Sequence, residues 1–174
     1  MTPKDDTSPN RKQQILEAAA ALFAERGYHK TTTAEVARSV GVTQPYVFHF
    51  FKTKEELYLA VLRQASARIL DAFASVQAPP AELELRMGQA FAGLLTTHRN
   101  EILLVMMAYA TPEPAVRSYT RDEFDRVYER IKLRFAEAGL SNPGFRASAF
   151  IGLGLVCSMS AVLELPKLLP DHDE

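Results

Sequence analysis

The sequence predicts an all-α fold, and three features carry that expectation. Between turn signals, nearly every segment is filled with Ala, Leu, Glu, Arg and Lys, which have high intrinsic helix propensity, while glycine is sparse at 8 of 174 residues. Apolar residues recur at three- and four-residue spacing rather than in strict alternation, so they form stripes on helices and not faces of strands. Threonine at 32 and at 53 is followed three places later by glutamate, the spacing at which a hydroxyl and a carboxylate cap each other's free helix amides. A content of 47% hydrophobic residues is enough to fill a core, either in one compact domain or in a small domain fused to a larger one.

Taken in order, Ser8 and Pro9 mark a helix start, and Ile15, Ala18, Ala19, Leu22 and Phe23 recur at helical spacing until Gly27 ends the pattern. Thr32 with Glu35 opens a short second helix over residues 33–40, carrying Val36, Ala37 and Val40 on one face. Gly41 interrupts it, and Thr43 stands where it can cap a third helix whose first turn holds Gln44 and Pro45. Thr53 with Glu56 opens a fourth helix that continues through Leu57, Val61, Ile69 and Phe73 to about residue 77. Ala78-Pro79-Pro80 then breaks the chain between two helix packets, with the long fourth helix belonging to both. A fifth helix is expected over residues 81–97, and a sixth, capped by Asn100, to about residue 110. A seventh follows Thr111-Pro112-Glu113-Pro114 to about residue 138, with Val116, Thr120, Phe124, Val127, Ile131 and Phe135 as its inner stripe. The last starts near Pro143 and stops before Pro166.

Composition excludes several function classes. The single cysteine allows no internal disulfide, which fits a reducing cytosol, and it has no metal ligands at a usual spacing. Neither a glycine loop for phosphates, nor a ligand-spaced His/Cys/Asp set, nor a nucleophile beside a base is present, so the chain reads as a non-enzyme needing no cofactor and no metal. The polar first residues, with acid as well as base and no apolar run, read as a flexible arm over 1–9 rather than a signal peptide. The net charge of −1 argues against a nonspecific polyanion binder, and the first 60 residues hold 8 basic against 7 acidic side chains. Any nucleic-acid function therefore rests on local geometry.

That geometry lies between the second and third helices. Two helices joined by a tight glycine turn, with a small residue at their crossing, are the sequence form of a helix-turn-helix. Ala37 is the crossing residue, Gly41-Val42-Thr43 the turn, and residues 44–51 the recognition helix. At 100° per residue, Val47, Phe50 and Phe51 fall together and face inward. The opposite face centres on Pro45 and His49, flanked by Tyr46 and Phe48, with Gln44 at the end that meets bases in a major groove. Gln44 is the leading base reader, since its amide both donates to and accepts from adenine. Tyr46 offers a ring to a thymine methyl and a hydroxyl to phosphate. Lys54 is a cation in a helix's first turn, where it opposes the helix dipole by about a few tenths of a kcal/mol unless a phosphate bridges it to the backbone amides. The alternative is a solvated lysine.

The stretch RKQQILEAAAALFAERGYHKTTTAEVARSVGVTQPYVFHFFKTKEELYLAVL, residues 11–62, resembles the DNA-binding region of the tetracycline repressor (TetR) family of bacterial transcription regulators. The shared features are the apolar first helix ending in Phe-x-x-x-Gly-Tyr, the Thr-Thr entry, the Ala-x-x-x-Gly-Val-Thr turn, and the aromatic-Phe-x-x-Lys-x-x-Leu run. By position, the resemblance implies DNA contacts from Thr33, Thr43, Gln44, Pro45, Tyr46, His49 and Lys54. Phe48 departs from the pattern, because the family often has there a tyrosine whose hydroxyl meets a phosphate; Tyr46 is then the expected source of that hydroxyl.

The remaining two thirds carry no signature. Residues 147–163, ASAFIGLGLVCSMSAVL, are uncharged and apolar all round, so this helix needs burial on every side. A membrane span, the centre of a monomeric core and a helix shared between its own domain and a second subunit all meet that need. The resemblance implies the third, a homodimer, for which Ile151, Gly154, Leu155, Ser158 and Val162 are the candidate interface. It also implies a small hydrophobic effector in a cavity of the C-terminal helices. Candidate lining residues are Phe91, Leu95, His98, Met106, Met107, Tyr109, Tyr119, Phe150 and Cys157, each of which is as readily ordinary core; His98, near a helix end, also suits a C-terminal cap.

The expected organisation is thus an N-terminal helix-turn-helix three-helix DNA-binding domain at 10–53 and a C-terminal helical ligand-binding and dimerisation domain at 54–174. The function it implies is that of a cytoplasmic, homodimeric repressor that binds a palindromic double-stranded DNA operator and is released by its effector. The rival is an all-helical interaction or small-molecule-binding module without DNA binding.

Overall fold

The computed structural model describes residues 8–169; the arm expected over 1–9, apart from its last two residues, lies outside them, as do residues 170–174. Among the described residues there are eight α-helices and no strand: α1 (Ser8–Lys30), α2 (Thr33–Ser39), α3 (Gln44–Phe50), α4 (Lys54–Ser75), α5 (Pro80–Thr97), α6 (Arg99–Met107), α7 (Pro114–Glu137) and α8 (Pro143–Leu163). Single 3₁₀ turns occupy Ala108–Ala110 and Pro166–Leu168.

Local chemistry sets most of the boundaries. Gly27 breaks the α1 ladder with φ 75° and ψ 169°, and one further turn runs on to Lys30. The capping box at Thr32 is complete: its hydroxyl accepts from the Glu35 amide, and the Glu35 carboxylate accepts from the Thr32 amide. At α4 the pattern is shifted by one residue, because Thr53 accepts from the Glu56 amide while the Glu56 carboxylate takes the amide of Lys52 at 2.8 Å. Thr43 occupies the N-cap of α3 but makes no side-chain cap bond, contrary to expectation. Asn100 does not cap α6. His98 closes α5 by donating to the Leu94 carbonyl at 2.8 Å and opens α6 by accepting from Ile102 at 3.0 Å, so no linker remains for Asn100 to cap from. The sixth helix also ends early, at Met107, and tightens into the following 3₁₀ turn.

One continuous core crosses the expected boundary at residue 54. Ile15, Phe23, Val36 and Val47 are completely or almost completely buried at one end, and Met87, Ile102, Ile131 and Phe135 at the other, with Leu57, Leu62 and Ala65 of α4 between them. Phe23 meets Tyr58 edge-on at 4.8 Å between ring centroids, joining α1 to α4. Truncating a buried ring of this kind to alanine costs about 3–5 kcal/mol. Helix α6 packs against both α1 and α4, and α7 packs against α8. Arg68 of α4 forms an ion pair with Glu101 of α6, whose side chain is 8% exposed.

The reading of α8 as the centre of a monomeric core is corrected. Only Ala147, Ser158 and Ser160 of this helix are buried. Phe145, Leu153, Met159, Val162 and Leu163 are exposed, although an 18-residue window has a mean hydropathy of 1.6. By length and composition the helix could cross a membrane.

Candidate nucleic-acid interface and internal cavity

Three consecutive threonines organise the entry to the helix-turn-helix, each differently. Thr31, fully buried, lies with its hydroxyl 3.0 Å from the Leu22 carbonyl and 2.9 Å from that of Gly27, covering the open end of α1. Thr32 caps α2. Thr33, 6% exposed, accepts a 2.8 Å hydrogen bond from the side-chain amide of Gln44. The turn itself depends on Gly41, at φ 69°, a left-handed conformation that glycine adopts without a Cβ penalty. It is closed by the Val42 amide on the Ala37 carbonyl at 2.9 Å. Val36, Ala37 and Val47 are buried beneath, so α3 is fixed to α2 by an apolar contact.

Helix α3 consequently presents one face to solvent. Thr43, Gln44, Pro45 and His49 are exposed, and Val47 and Phe51 are buried, as the helical wheel predicts. Phe50 is half-buried and acts as a rest for two of its neighbours: the Tyr46 ring lies 5.4 Å away and the His49 ring 5.2 Å away, both edge-on. Tyr46 is thereby held half-buried on the rim of the face. Thr33 departs from the expected set, since it is buried behind Gln44 rather than open to a partner.

Lys54 also differs from the expectation of a cation opposed to its helix dipole. Its ammonium donates to the carbonyls of Tyr28 at 3.0 Å and His29 at 3.4 Å and stands 4.4 Å from the centroid of the Tyr28 ring. These carbonyls follow the Gly27 break, so the lysine is matched to the electronegative end of α1 while opening α4. Two further cations flank the face and are absent from the expected set. Lys52 is exposed with its ammonium 3.4 Å from the Phe48 carbonyl, and Arg38 is exposed in the last turn of α2. Neither belongs to a pattern that sequence spacing singles out.

A cavity lies among α4, α5, α6, α7 and α8, with about 80 Å³ open to the centres of water molecules. Phe91, Met106, Phe150 and Cys157 line it. So do Ser66, Ile69 and Phe73 of α4 and Glu123, Val127 and Ile131 of α7, none of which the sequence placed on a cavity wall. Five candidates are not on its wall. Leu95 lies one turn beyond Phe91, and His98 sits in the α5–α6 junction with its ring 2.8 Å from the Thr97 hydroxyl. Met107, the last residue of α6, is 47% exposed, and Tyr109, in the 3₁₀ turn that follows, is 65% exposed. Tyr119 stands behind the wall, donating to the Ser66 hydroxyl at 3.3 Å. Burial pushes the Cys157 thiol above its ordinary pKa, which keeps it protonated and unreactive at neutral pH.

The expected interface residues are also redistributed. A Cβ on Gly154 would lie 3.6 Å from the Met106 methyl and 3.8 Å from the Phe91 ring, so this glycine faces the cavity. Ile151 lines the cavity as well, and Ser158 is buried, donating to the Gly154 carbonyl at 2.9 Å. Leu155 packs half-buried against the core. Of the five, only Val162, at 41% exposure, is on the open face, which it shares with Phe145, Leu153, Met159 and Leu163. With every position from 147 to 163 small or apolar, nothing in that stretch set the phase of the helix.

A glycine-turned helix pair with one exposed polar face, joined by a long helix to a bundle that holds an apolar pocket, defines a helix-turn-helix protein. Residues 15–61 match the family model described as bacterial regulatory proteins, tetR family. Over that segment the chain is similar to the tetR family. It is 41% identical over 64 residues to the HTH-type transcriptional repressor AcnR of Corynebacterium diphtheriae, a match covering 37% of this chain and 34% of that protein. It is 42% identical over 62 residues to the HTH-type transcriptional activator FasR of Mycolicibacterium smegmatis, covering 36% and 26%. These matches span about a third or less of the length of the curated relatives. Along its whole length the fold is similar to AibR, solved in complex with isovaleryl coenzyme A and operator DNA, with a TM-score of 0.69 at 22% identity over 92% of this chain and 98% of that one. The family model describes bacterial regulatory proteins, and these two curated relatives are named transcription regulators.

Proposed function

We propose that this chain is a cytoplasmic, homodimeric transcriptional repressor that binds a palindromic operator through α3 and is released by a small hydrophobic effector in the α4–α8 cavity. It is not an enzyme in this reading and uses no cofactor. The observation that carries it is the exposed face of α3. Gln44 stands at its N-terminal end where a major-groove helix meets bases, and Thr43, Pro45, Tyr46 and His49 lie beside it on a helix fixed by its buried side. Lys54, Lys52 and Arg38 are suited to hold the flanking phosphates, with Lys54 using the donor that the two carbonyls leave free. Thr33 then acts by positioning Gln44.

A dimer follows from two needs. One short recognition helix reads only a few base pairs, whereas a two-fold pair places two of them about 34–36 Å apart on one face of DNA. The exposed apolar face of α8 is uncovered in the single chain, and a second copy would cover it. The repressor name of AcnR supports this sign of regulation, although FasR is named an activator, and AibR was solved in complex with isovaleryl coenzyme A and operator DNA.

Selection of bound fragments from a random DNA pool tests the reading. A repressor of this kind enriches an inverted repeat whose half-sites lie about one helical turn apart, and its affinity falls steeply with the logarithm of salt concentration. No enrichment, or salt-insensitive association, would favour an interaction module without DNA binding.

A further inference from the structure

The cavity wall is almost entirely apolar, which makes its two strongly polar groups informative: Ser66 on α4 and Glu123 on α7. Glu123 is 4% exposed. Its Oε2 pairs with Arg126 at 3.0 Å, but that arginine side chain is 60% exposed, and such a solvent-screened pair compensates a buried carboxylate only in part. Among the described residues, Oε1 has no hydrogen-bond or ion-pair partner. Ser66 is 2% exposed and already accepts from Tyr119, leaving a second lone pair toward the cavity. One turn before Glu123, the Thr120 hydroxyl is buried with no partner at all. No cationic side chain lines the cavity. The pocket therefore has an apolar body and one acceptor-rich spot, at Glu123 and Ser66, whose cationic partner, Arg126, lies off the wall.

We infer that the effector is an apolar molecule carrying a single protonated amine that seats on Glu123 with Ser66 as second acceptor, and that free carboxylates are turned away. This rests on the proposal that the cavity is the effector site. A bound ammonium supplies the missing donors and neutralises the buried charge. A bound carboxylate would place two like charges together in an apolar surround, and an alcohol would supply one donor without the charge.

The test compares three probes of equal chain length on the full chain at pH 7, namely n-octylamine, 1-octanol and sodium octanoate, with calorimetry as the readout. The expected result is that the amine binds about tenfold more tightly than the alcohol, with octanoate weakest. Glu123→Gln should bring amine and alcohol to equal affinity, and Gly154→Leu, which fills the cavity, should remove binding of all three. If the three probes bind equally, or octanoate binds best, the amine assignment is overturned while the cavity stands as a binding site. Amine binding that survives Gly154→Leu lies elsewhere on the molecule and also overturns it. If no probe binds, the reading of the cavity as an effector site falls, and this inference with it. The ranking on the unsubstituted chain decides the matter even if Glu123→Gln does not fold.

Discussion

The hydrogen bond from Gln44 to Thr33 makes a prediction whose sign separates two mechanisms. Replacing Thr33 by valine keeps a β-branched side chain in the first turn of α2 and removes the hydroxyl that holds the Gln44 amide at 2.8 Å. No other partner of that hydroxyl is present among the described residues, so the fold should change by no more than about 1 kcal/mol. If the bond pre-positions Gln44 for its base, losing it returns rotamer freedom that must be lost again on binding. A neutral hydrogen bond is worth about 0.5–1.5 kcal/mol net, and in a dimer it is counted twice. Thr33→Val should therefore weaken the cognate operator by about 1–3 kcal/mol, or about 5- to 150-fold. It should do so only while the base pair read by Gln44 is intact, so that Thr33→Val and Gln44→Ala are strongly non-additive. Fluorescence anisotropy at one fixed salt concentration, on the cognate operator and on one altered at that base pair, reads this directly. Tighter binding by Thr33→Val would refute the argument, because it would mean that the bond competes with base reading and holds Gln44 away from DNA.

Three further outcomes follow from the same geometry. Gly41→Ala should destabilise by about 1 kcal/mol in chemical denaturation, all of it from the backbone at φ 69°, because nothing lies within 4 Å of the added Cβ. The Glu35 carboxyl is held below its ordinary pKa, first by the Thr32 hydroxyl and then by the Thr32 amide. Its ionised form thus favours folding above the unfolded pKa, and this contribution disappears as pH falls through the lower, folded value. Glu35→Gln should accordingly lower the melting temperature near pH 7 but not at the acid end of the titration, and parallel curves at both ends would exclude the capping account. Met159→Arg places a charge on the open face of α8, where the side chain is 47% exposed; sedimentation should show monomers with unchanged helicity, and an intact dimer would move the interface to another surface.

How much of this was legible in the sequence depended on whether the determining interaction was local. Thr32 with Glu35, the left-handed Gly41 and the inward triad around Val47 all act within a few residues, and spacing alone located them. The partners of Lys54, the carbonyls of Tyr28 and His29, were not legible because they lie more than twenty residues earlier and meet it only after α1 packs on α4. The bonds of Thr31 and Thr33 were not legible, because they reach Leu22 and Gln44, nine and eleven residues away. The phase of α8 was invisible for a different reason: without a polar face, helical periodicity carries no direction, so Gly154 was assigned to the outside when it lines the cavity. Glu123 was passed over because charge predicts exposure, and only the assembled cavity reveals a buried carboxylate.

The placement of α4 bears on how a cavity could govern a recognition helix. Its first residue is tied to the end of α1 through Lys54, its middle supplies Ser66, Ile69 and Phe73 to the cavity wall, and between these Arg68 reaches Glu101 on α6. Helix α6 in turn packs on α1, and His29, in the turn that leads into α2, pairs with Glu113 at the start of α7 at 3.2 Å. The DNA-binding unit is therefore not hung from one hinge but braced at two separate points, so a ligand that displaced α4 alone would meet resistance from the α6 contact. An effector can shift the population of binding-competent dimers only by the difference in its affinity for the two arrangements. In the proposed function, a ligand that seats on Glu123 of α7 and Ser66 of α4 touches both bracing paths at once, α4 directly and α7 through the helix that begins beside Glu113. A purely apolar ligand would contact the same walls without fixing the distance between them.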